Sequence, residues 1–141
     1  MDSFTYCDFS MACEICDMLN NEELTIIRNE KFVVVHNPRP FNNGHLIIAP
    51  VQHVSINEID QSLLIELMDL TKKLVAILQE IYNPHGFNVG ISLKPHVYIQ
   101  VVPRWNGDVS FMTLFYNVKV VPETVTESVS RIRNAVRRYG L

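Results

Sequence analysis

The stretch HVYIQVV, residues 96–102, alternates apolar and polar side chains and runs directly into PRWNGD, residues 103–108. Successive side chains of a β-strand point to opposite faces, so one face of this strand is expected to pack in the core. The other face carries an imidazole, a phenol and an amide, which is typical of a functional site, although a half-exposed strand without a function also accommodates them. The predicted core face consists of Val97, Ile99 and Val101, and the opposite face of His96, Tyr98, Gln100 and Val102.

Upstream of this strand, two β-rich runs at residues 24–28 and 32–36 flank a polar turn and predict a hairpin. Residues 37–44 are rich in proline, asparagine and glycine, which predicts a loop. The apolar run at residues 45–49 predicts a third strand that Pro50 ends.

A long helix is predicted over residues 61–82, with Ser55 or Asp60 as candidate caps. Its apolar residues recur at three- and four-residue steps, the spacing of one buried stripe. They are Leu63, Leu64, Leu67, Leu70, Leu74, Ile77, Leu78 and Ile81.

The remaining pattern predicts strands at residues 87–93, 97–102 and 118–121. Pro103 is expected to end the second of these, and a C-terminal helix is predicted over residues 123–138. Glu123 would lie in the first turn of that helix and its arginines in the last. The fold class is therefore α+β: a largely antiparallel sheet with the long helix packed on one face and a C-terminal helix.

Length, composition and charge limit the class of protein to which this chain can belong. A chain of 141 residues, 48% hydrophobic and 19% charged, is expected to form one globular domain over residues 1–141. A net charge of −3 gives no strong signal for nucleic-acid binding. No leader or bilayer-length apolar run is seen, and the odd number of cysteines argues against a disulfide framework, so a cytoplasmic location is expected.

Three segments carry a specific resemblance: residues 41–50 (FNNGHLIIAP), 86–90 (GFNVG) and 96–108, the last followed by Phe111-Met112. In this order they closely resemble the histidine-triad (HIT) family, nearest to its dinucleoside-polyphosphate hydrolases and phosphorylases. The likeness extends from Cys13 to the C-terminal helix and implies the HIT-like α+β fold.

The resemblance also locates a departure in the catalytic motif. The family motif is H-x-H-x-H, with glutamine third in the nucleotidyl-transferase branch, and its central histidine attacks the α-phosphorus of a nucleotide. Here the motif reads His96-x-Tyr98-x-Gln100. A phenol with a pKa near 10 is ionised in roughly one molecule in a thousand at neutral pH, so loss of the usual reaction is expected.

The family's phosphate-holding loop of small residues is also altered. Residues 92–95 (SLKP) are nearly all that remains of it, and Pro95 lacks an N–H donor. Lys94 supplies one flexible charge, which does not replace a set of preorganised donors. Both changes favour a pseudoenzyme.

For the N-terminal CxxC, the resemblance implies a structural zinc. Its ligands would be Cys13, Cys16, His53 and His96, a set that spacing alone does not connect. The alternative is buried free thiols beside two incidental histidines. Cys7 lies outside the pattern and is expected to be free.

Nucleotide contacts follow from the resemblance as well. It implies that Asn37 meets the ribose, that His45 lies beside the pocket and that Asn88 lies near the phosphate, with Ser92 and Lys94 contributing from the shortened loop. Each of these also suits an ordinary turn or strand. The resemblance further implies a homodimer joined through the long helix and the adjoining strand, whereas His36 and His85 receive no role.

Three functions remain open. The first is a zinc-stabilised domain that binds a purine nucleotide or a protein partner without nucleotidyl transfer. The second is an active hydrolase or phosphorylase of dinucleoside polyphosphates or nucleotide conjugates, with Tyr98 or His45 replacing the missing histidine. The third is a scaffold subunit of a larger assembly.

Overall fold

The computed structural model describes residues 5–6, 13–106 and 123–141. Its strands are β1 (Thr5–Tyr6), β2 (Thr25–Arg28), β3 (Phe32–His36), β4 (Leu46–Pro50), β5 (Gln52–His53), β6 (Gly86–Ser92) and β7 (Tyr98–Arg104). Its helices are α1 (Glu14–Leu19), α2 (Gln61–Tyr82) and α3 (Val125–Arg138), with a short 3-10 helix at Glu22–Leu24. Five strands form an antiparallel sheet in the order β2-β3-β4-β7-β6, and β1 pairs with β5. The predicted α+β class is confirmed.

The centre of the sheet is covered on both faces. Every residue of β3 and β4 is buried, which is why both strands read as continuous apolar runs instead of alternating ones. On one face α2 and α3 cover a large core that includes Ile48, Leu74 and Ile132. On the other face a smaller core around Leu19, Val33 and Ile47 packs beneath α1. The functional residues described below lie on this second face.

Helix α2 has the predicted bounds. The Asp60 side chain caps its first turn by accepting from the N–H of Leu63 at 3.2 Å. It ends at Asn83, which adopts a left-handed conformation with φ 48°. The buried part of its stripe consists of Leu67, Leu70, Leu74, Ile77 and Leu78, with Thr71.

Helix α3 begins later than predicted. Thr124 and Glu127 form a reciprocal capping box, so Glu127 is the acidic residue of the first turn. Glu123 precedes the cap, and the prediction that it lies in the first turn is wrong. Arg137 and Arg138 occupy the last turn, as predicted.

The two proline-based strand ends differ in outcome: Pro50 ends its strand as predicted, whereas the prediction that Pro103 ends a strand is wrong. Pro50 is the last residue of β4 and pairs with Phe32. Strand β7 begins at Tyr98 and continues through Pro103, which pairs with Phe87. The pairing of β7 with β4 ends at Val101, so β4 does not pair with Pro103. Proline is tolerated in a strand where one neighbouring strand needs no N–H donor.

Strand β6 begins at Gly86, one residue before its predicted start, and ends at Ser92. The predicted strand over residues 118–121 lies outside the described residues. In the part of the chain that the structure describes, no helix has both the length and the apolar character needed to cross a bilayer.

Candidate functional site

Four side chains from three parts of the chain converge at one end of the sheet. Cys13 and Cys16 come from the start of α1, His53 from β5, and His96 from the residues just before β7. One nitrogen or sulfur atom of each lies within 4.8 Å of the corresponding atoms of the others. The structure thus assembles the four residues of the predicted metal set.

The spacing of these atoms suits a tetrahedral ion. His96 Nδ1 lies 3.9 Å from Cys13 Sγ and 3.5 Å from Cys16 Sγ, and His53 Nδ1 lies 3.4 Å from Cys16 Sγ. Zinc–sulfur and zinc–nitrogen bonds of about 2.3 and 2.0 Å at tetrahedral angles place neighbouring ligand atoms roughly 3.3 to 3.8 Å apart, and a sulfur and a nitrogen about 3.5 Å apart. Two thiolates and two imidazoles are a set that structural zinc sites use, so the residues present fit zinc.

Hydrogen bonds to backbone groups orient two members of the cluster. The sulfur of Cys13 caps α1 by accepting from the N–H of Cys16 at 3.3 Å. His96 Nε2 lies 3.0 Å from the carbonyl oxygen of Pro50, which can only accept, so this nitrogen carries the proton and Nδ1 keeps its lone pair. Burial lowers the pKa of His96, which favours the neutral ring that a metal requires.

The redox state of Cys16 decides whether the cluster can bind a metal. Cys13 is a free, buried thiol, whereas Cys16 is disulfide-bonded in the structure. Only a thiolate ligates zinc, so the site becomes complete when Cys16 is reduced. Cys7, expected to be free, lies outside the described residues.

A cavity of about 410 Å³ adjoins the cluster and shares Cys13 and His96 with it. Glu14, Ile15 and Met18 of α1 form one wall. The outward side chains of β7, Tyr98 and Gln100, form another, in agreement with the predicted alternation of this strand. The rim carries Asn37, Arg39, Ser92, Lys94 and Pro95.

His96 departs from the predicted polar face. It is 1% exposed, because it precedes β7 and turns into the metal cluster. Tyr98 and Gln100 are half-buried. The Tyr98 ring packs against the smaller core, and within the described residues its hydroxyl has no histidine or carboxylate as a hydrogen-bond partner.

Gln100 is oriented by His45. The backbone N–H of Phe41 donates to His45 Nδ1 at 3.1 Å, so the proton of this ring is on Nε2. His45 Nε2 lies 2.7 Å from Gln100 Oε1 and donates to it. The amide oxygen is thereby engaged, and the NH₂ group of Gln100, a pair of donors, remains for the cavity.

Of the other predicted nucleotide contacts, three line the cavity and two do not. Asn37, Ser92 and Lys94 line the cavity, whereas His45 is buried behind Gln100. Asn88 lies exposed on β6 opposite Val102, and the structure does not bring it to the cavity wall.

Some of the site was not anticipated from the sequence. Helix α1 has only six residues, too few for a periodic apolar pattern, so Ile15 and Met18 gave no signal as wall residues. Arg39 forms an ion pair with Glu14 at 2.6 Å that joins the loop after β3 to α1 across the cavity rim.

Comparison with known proteins identifies the family of this chain. The family model for the HIT domain matches residues 19–104, more than half of the chain. The chain belongs to the HIT domain family.

Relatives of this HIT domain include a phosphorylase and a tetraphosphatase. It is 34% identical over 124 residues to the AP-4-A phosphorylase of Mycobacterium tuberculosis, covering 82% of this chain but only 64% of that protein. It is 25% identical over 89 residues to the asymmetrical bis(5'-nucleosyl)-tetraphosphatase of Schizosaccharomyces pombe, covering 57% of this chain and 49% of that protein. The HIT domain thus spans about half to two thirds of the length of these relatives.

Among solved structures, a zinc-bound histidine triad family protein from Mycobacterium smegmatis has the same fold. The TM-score is 0.72 at 24% sequence identity, and the match covers 93% of this chain and 97% of that one. The predicted HIT-like fold is confirmed.

Proposed function

We propose that this HIT domain is a zinc-stabilised nucleotide-binding domain that does not carry out nucleotidyl transfer through residue 98. The observation that carries this proposal is the position of Tyr98. It occupies the centre of the His96-x-Tyr98-x-Gln100 row on the cavity wall, where the family's histidine nucleophile is expected.

The composition of the cavity supports a nucleotide as its ligand. Its volume of about 410 Å³ lies within the usual range for small-molecule sites. Ile15 and Met18 offer an apolar wall to a base, while Lys94 and the NH₂ group of Gln100 offer positive charge and donors to phosphate oxygens. The named activities of the two relatives point to the same ligand class.

Nucleophilic transfer needs an activated group at position 98. The hydroxyl of Tyr98 lacks a partner base among the described residues, and His45 donates a hydrogen bond to Gln100 instead. Pro95 on the rim contributes no N–H to stabilise charge on a transferring phosphoryl group. The domain therefore binds a nucleotide in this proposal but does not form a covalent intermediate with it.

Zinc has a structural role in the proposal. Cys13, Cys16, His53 and His96 would hold it, and the ion would supply no open coordination position. It would tie the N-terminal end of α1 to β5 and β7. The cavity wall formed by α1 would then have a fixed position.

A homodimer is proposed through β6 and α2. Among the described strands β6 is an edge of the sheet and exposes Val89 and Ile91, and α2 exposes Ile65 and Met68. A second copy can pair with this edge about a two-fold axis, extending the sheet and covering the apolar side chains of both copies.

One observation favours a second candidate function, an active phosphorylase or hydrolase. The AP-4-A phosphorylase relative is 34% identical to this chain over 124 residues. In this case the Tyr98 oxygen would attack phosphorus and form a tyrosyl phosphodiester, with departure of the remaining nucleotide. The proton of the Tyr98 hydroxyl would need an acceptor, supplied by the ligand or by residues outside the described part.

Calorimetric titration of the reduced, zinc-supplied protein with AMP, ADP and diadenosine tetraphosphate tests both functions. Each mixture is then analysed for products by ion-exchange chromatography. Binding without products supports the proposal. Turnover that is lost in Tyr98→Phe and retained in Tyr139→Phe, a matched change at an exposed tyrosine, would establish the enzyme instead.

Two further outcomes are informative. Turnover that persists in Tyr98→Phe would place the chemistry on another residue. It would refute both Tyr98 as the nucleophile and the proposed absence of covalent chemistry. The absence of binding to any of the three ligands would refute nucleotide recognition and favour a domain that binds only proteins.

A further inference from the structure

His36, at the end of β3, is a fully buried imidazole without a part in the proposed function. Its Nε2 lies 3.2 Å from the backbone N–H nitrogen of Gly44, and its Nδ1 lies 2.9 Å from the carbonyl oxygen of Asn37. The backbone N–H can only donate and the carbonyl can only accept. The ring is therefore the neutral tautomer protonated on Nδ1, with both nitrogens engaged.

These two contacts hold the ends of the loop formed by residues 37–44. The N–H of Asn37 also donates to the carbonyl oxygen of His45 at 2.8 Å, which closes the loop at its base. Gly44 has φ +81°, a conformation that other residues rarely adopt. A Cβ atom at Gly44 would meet Tyr82 at 3.1 Å, so the backbone that donates to His36 is tightly confined.

The same loop delivers groups to the cavity. Asn37 and Arg39 stand on the rim, and the N–H of Arg39 donates to Asn37 Oδ1 at 2.9 Å. His45 follows Gly44 directly and sets the orientation of the Gln100 amide. A change in the position of Gly44 therefore reaches Asn37, His45 and Gln100 together.

We propose that His36 is a positioning residue for phosphorylated ligands: its neutral ring holds the 37–44 loop, and protonation of that ring releases Gly44 and weakens ligand binding. The ligand part of this inference rests on the proposed nucleotide function. The loop part rests only on the contacts of His36.

The surroundings of His36 favour the neutral ring near pH 7. Burial lowers the pKa of His36 most, the hydrogen bond to Asn37 and the charge of Glu123 raise it by less, and His45 lowers it further. Among the described residues, the titratable groups that act on His36 are His45, which precedes β4, and Glu123, which precedes the α3 cap. When the ring takes up a second proton, Nε2 becomes a donor and can no longer accept from Gly44.

The test compares two substitutions at position 36. In His36→Gln the amide oxygen can still accept from Gly44 and the NH₂ group can still donate to Asn37, but the group does not titrate in this range. His36→Leu removes both contacts. His85→Gln is the control, because His85 is exposed and accepts from Asn106 away from the cavity.

Affinity for AMP is measured by calorimetry between about pH 5.5 and 8 on zinc-supplied protein, with zinc content checked at each pH. We expect His36→Gln to match the wild type at pH 8 within about threefold, and to lose about threefold less affinity than the wild type at pH 5.5. His36→Leu should bind about tenfold more weakly at pH 8. The His85→Gln profile should follow the wild type. A His36→Gln profile with the same pH slope as the wild type would overturn the proposal.

Hydrogen exchange of the Gly44 amide, read by NMR, tests the loop without any ligand. It should be slow in the wild type and in His36→Gln at pH 7, and at least about tenfold faster in His36→Leu. Equal protection in all three proteins would overturn the positioning role. If AMP binds to no variant at any pH while the Gly44 result holds, the nucleotide function fails and the role of His36 in the loop stands.

Discussion

His96 Nε2 donates a hydrogen bond to the carbonyl oxygen of Pro50 over 3.0 Å, which turns Nδ1 of the same ring toward the sulfurs of Cys13 and Cys16. This contact fixes the tautomer that a metal ligand needs before any metal is present. Burial acts in the same direction by lowering the pKa of His96. The cluster is therefore prepared for a cation once Cys16 is reduced.

The first prediction concerns metal content. Protein purified under reducing conditions should contain about one zinc per chain, and Cys13→Ser or His96→Gln should contain well under half of that amount. Elemental analysis by mass spectrometry measures it, with His85→Gln as the control. A substoichiometric metal content in the reduced wild type, even after supply of zinc, would refute the site.

The second prediction links the zinc site to the cavity. Cys13 and His96 line both, and α1 carries Ile15 and Met18 from the zinc site into the cavity wall. Removal of zinc should weaken AMP binding by about fivefold or more, and AMP should raise zinc affinity by the same factor. Competition with a chromogenic chelator, with and without AMP, measures the second quantity. If the zinc affinity is the same with and without AMP, under conditions in which AMP is bound, the two sites are independent.

The third prediction concerns the contact between α2 and the start of α3. The Glu123 carboxylate accepts from Tyr82 and Ser128 at 2.7 Å and from Arg131 at 2.8 Å. Burial opposes its ionisation, but these three donors outweigh that effect and lower the pKa of Glu123. Glu123→Gln should reduce the free energy of unfolding by about 1 to 3 kcal/mol.

Urea denaturation followed by circular dichroism measures this loss. Glu80→Gln, on the exposed side of α2, is the matched control and should change the free energy by less than about 0.5 kcal/mol. A Glu123→Gln protein as stable as the control would show that the cluster contributes nothing to stability.

The fourth prediction is the direction in which stability depends on pH. The pKa of His36 is lowered in the folded protein, mainly by burial, so the unfolded chain binds more protons between the folded pKa and about 6.5. The stabilisation is complete above about pH 6.5 and is lost as the pH falls through the folded pKa. In denaturation experiments between pH 5 and 7, the free energy of unfolding of His36→Gln should fall less steeply with decreasing pH than that of the wild type. The same pH dependence in both proteins would assign it to groups other than His36.

The fifth prediction concerns assembly. Val89 and Ile91 are 47% and 45% exposed on the edge strand, so Ile91→Lys should shift the protein from dimer to monomer. Light scattering coupled to gel filtration measures the mass. Leu141→Lys places the same charge at an exposed apolar residue far from this edge and should leave the dimer intact. A monomeric wild type at micromolar concentration would contradict the proposed interface.

The sequence predicted most of the fold because its signals were local. The apolar stripe of α2 and the alternation of β7 follow from the periods of the helix and the strand, and both are observed. Proline marked a strand end correctly at Pro50 but not at Pro103, since the missing N–H matters only where a neighbouring strand needs it. Helix α1 escaped detection because a single turn and a half has no measurable period.

The sequence by itself determined the residue types of the site: two cysteines, the His-x-Tyr-x-Gln row and the family to which they point. Only the tertiary structure decided which atoms meet. The tautomers of His36, His45 and His96 are set by backbone groups of Gly44, Phe41 and Pro50, the last of them 46 residues away. Such contacts leave no pattern in the chain, because a backbone N–H or carbonyl is the same at almost every position, and folding alone selects the one that faces each ring.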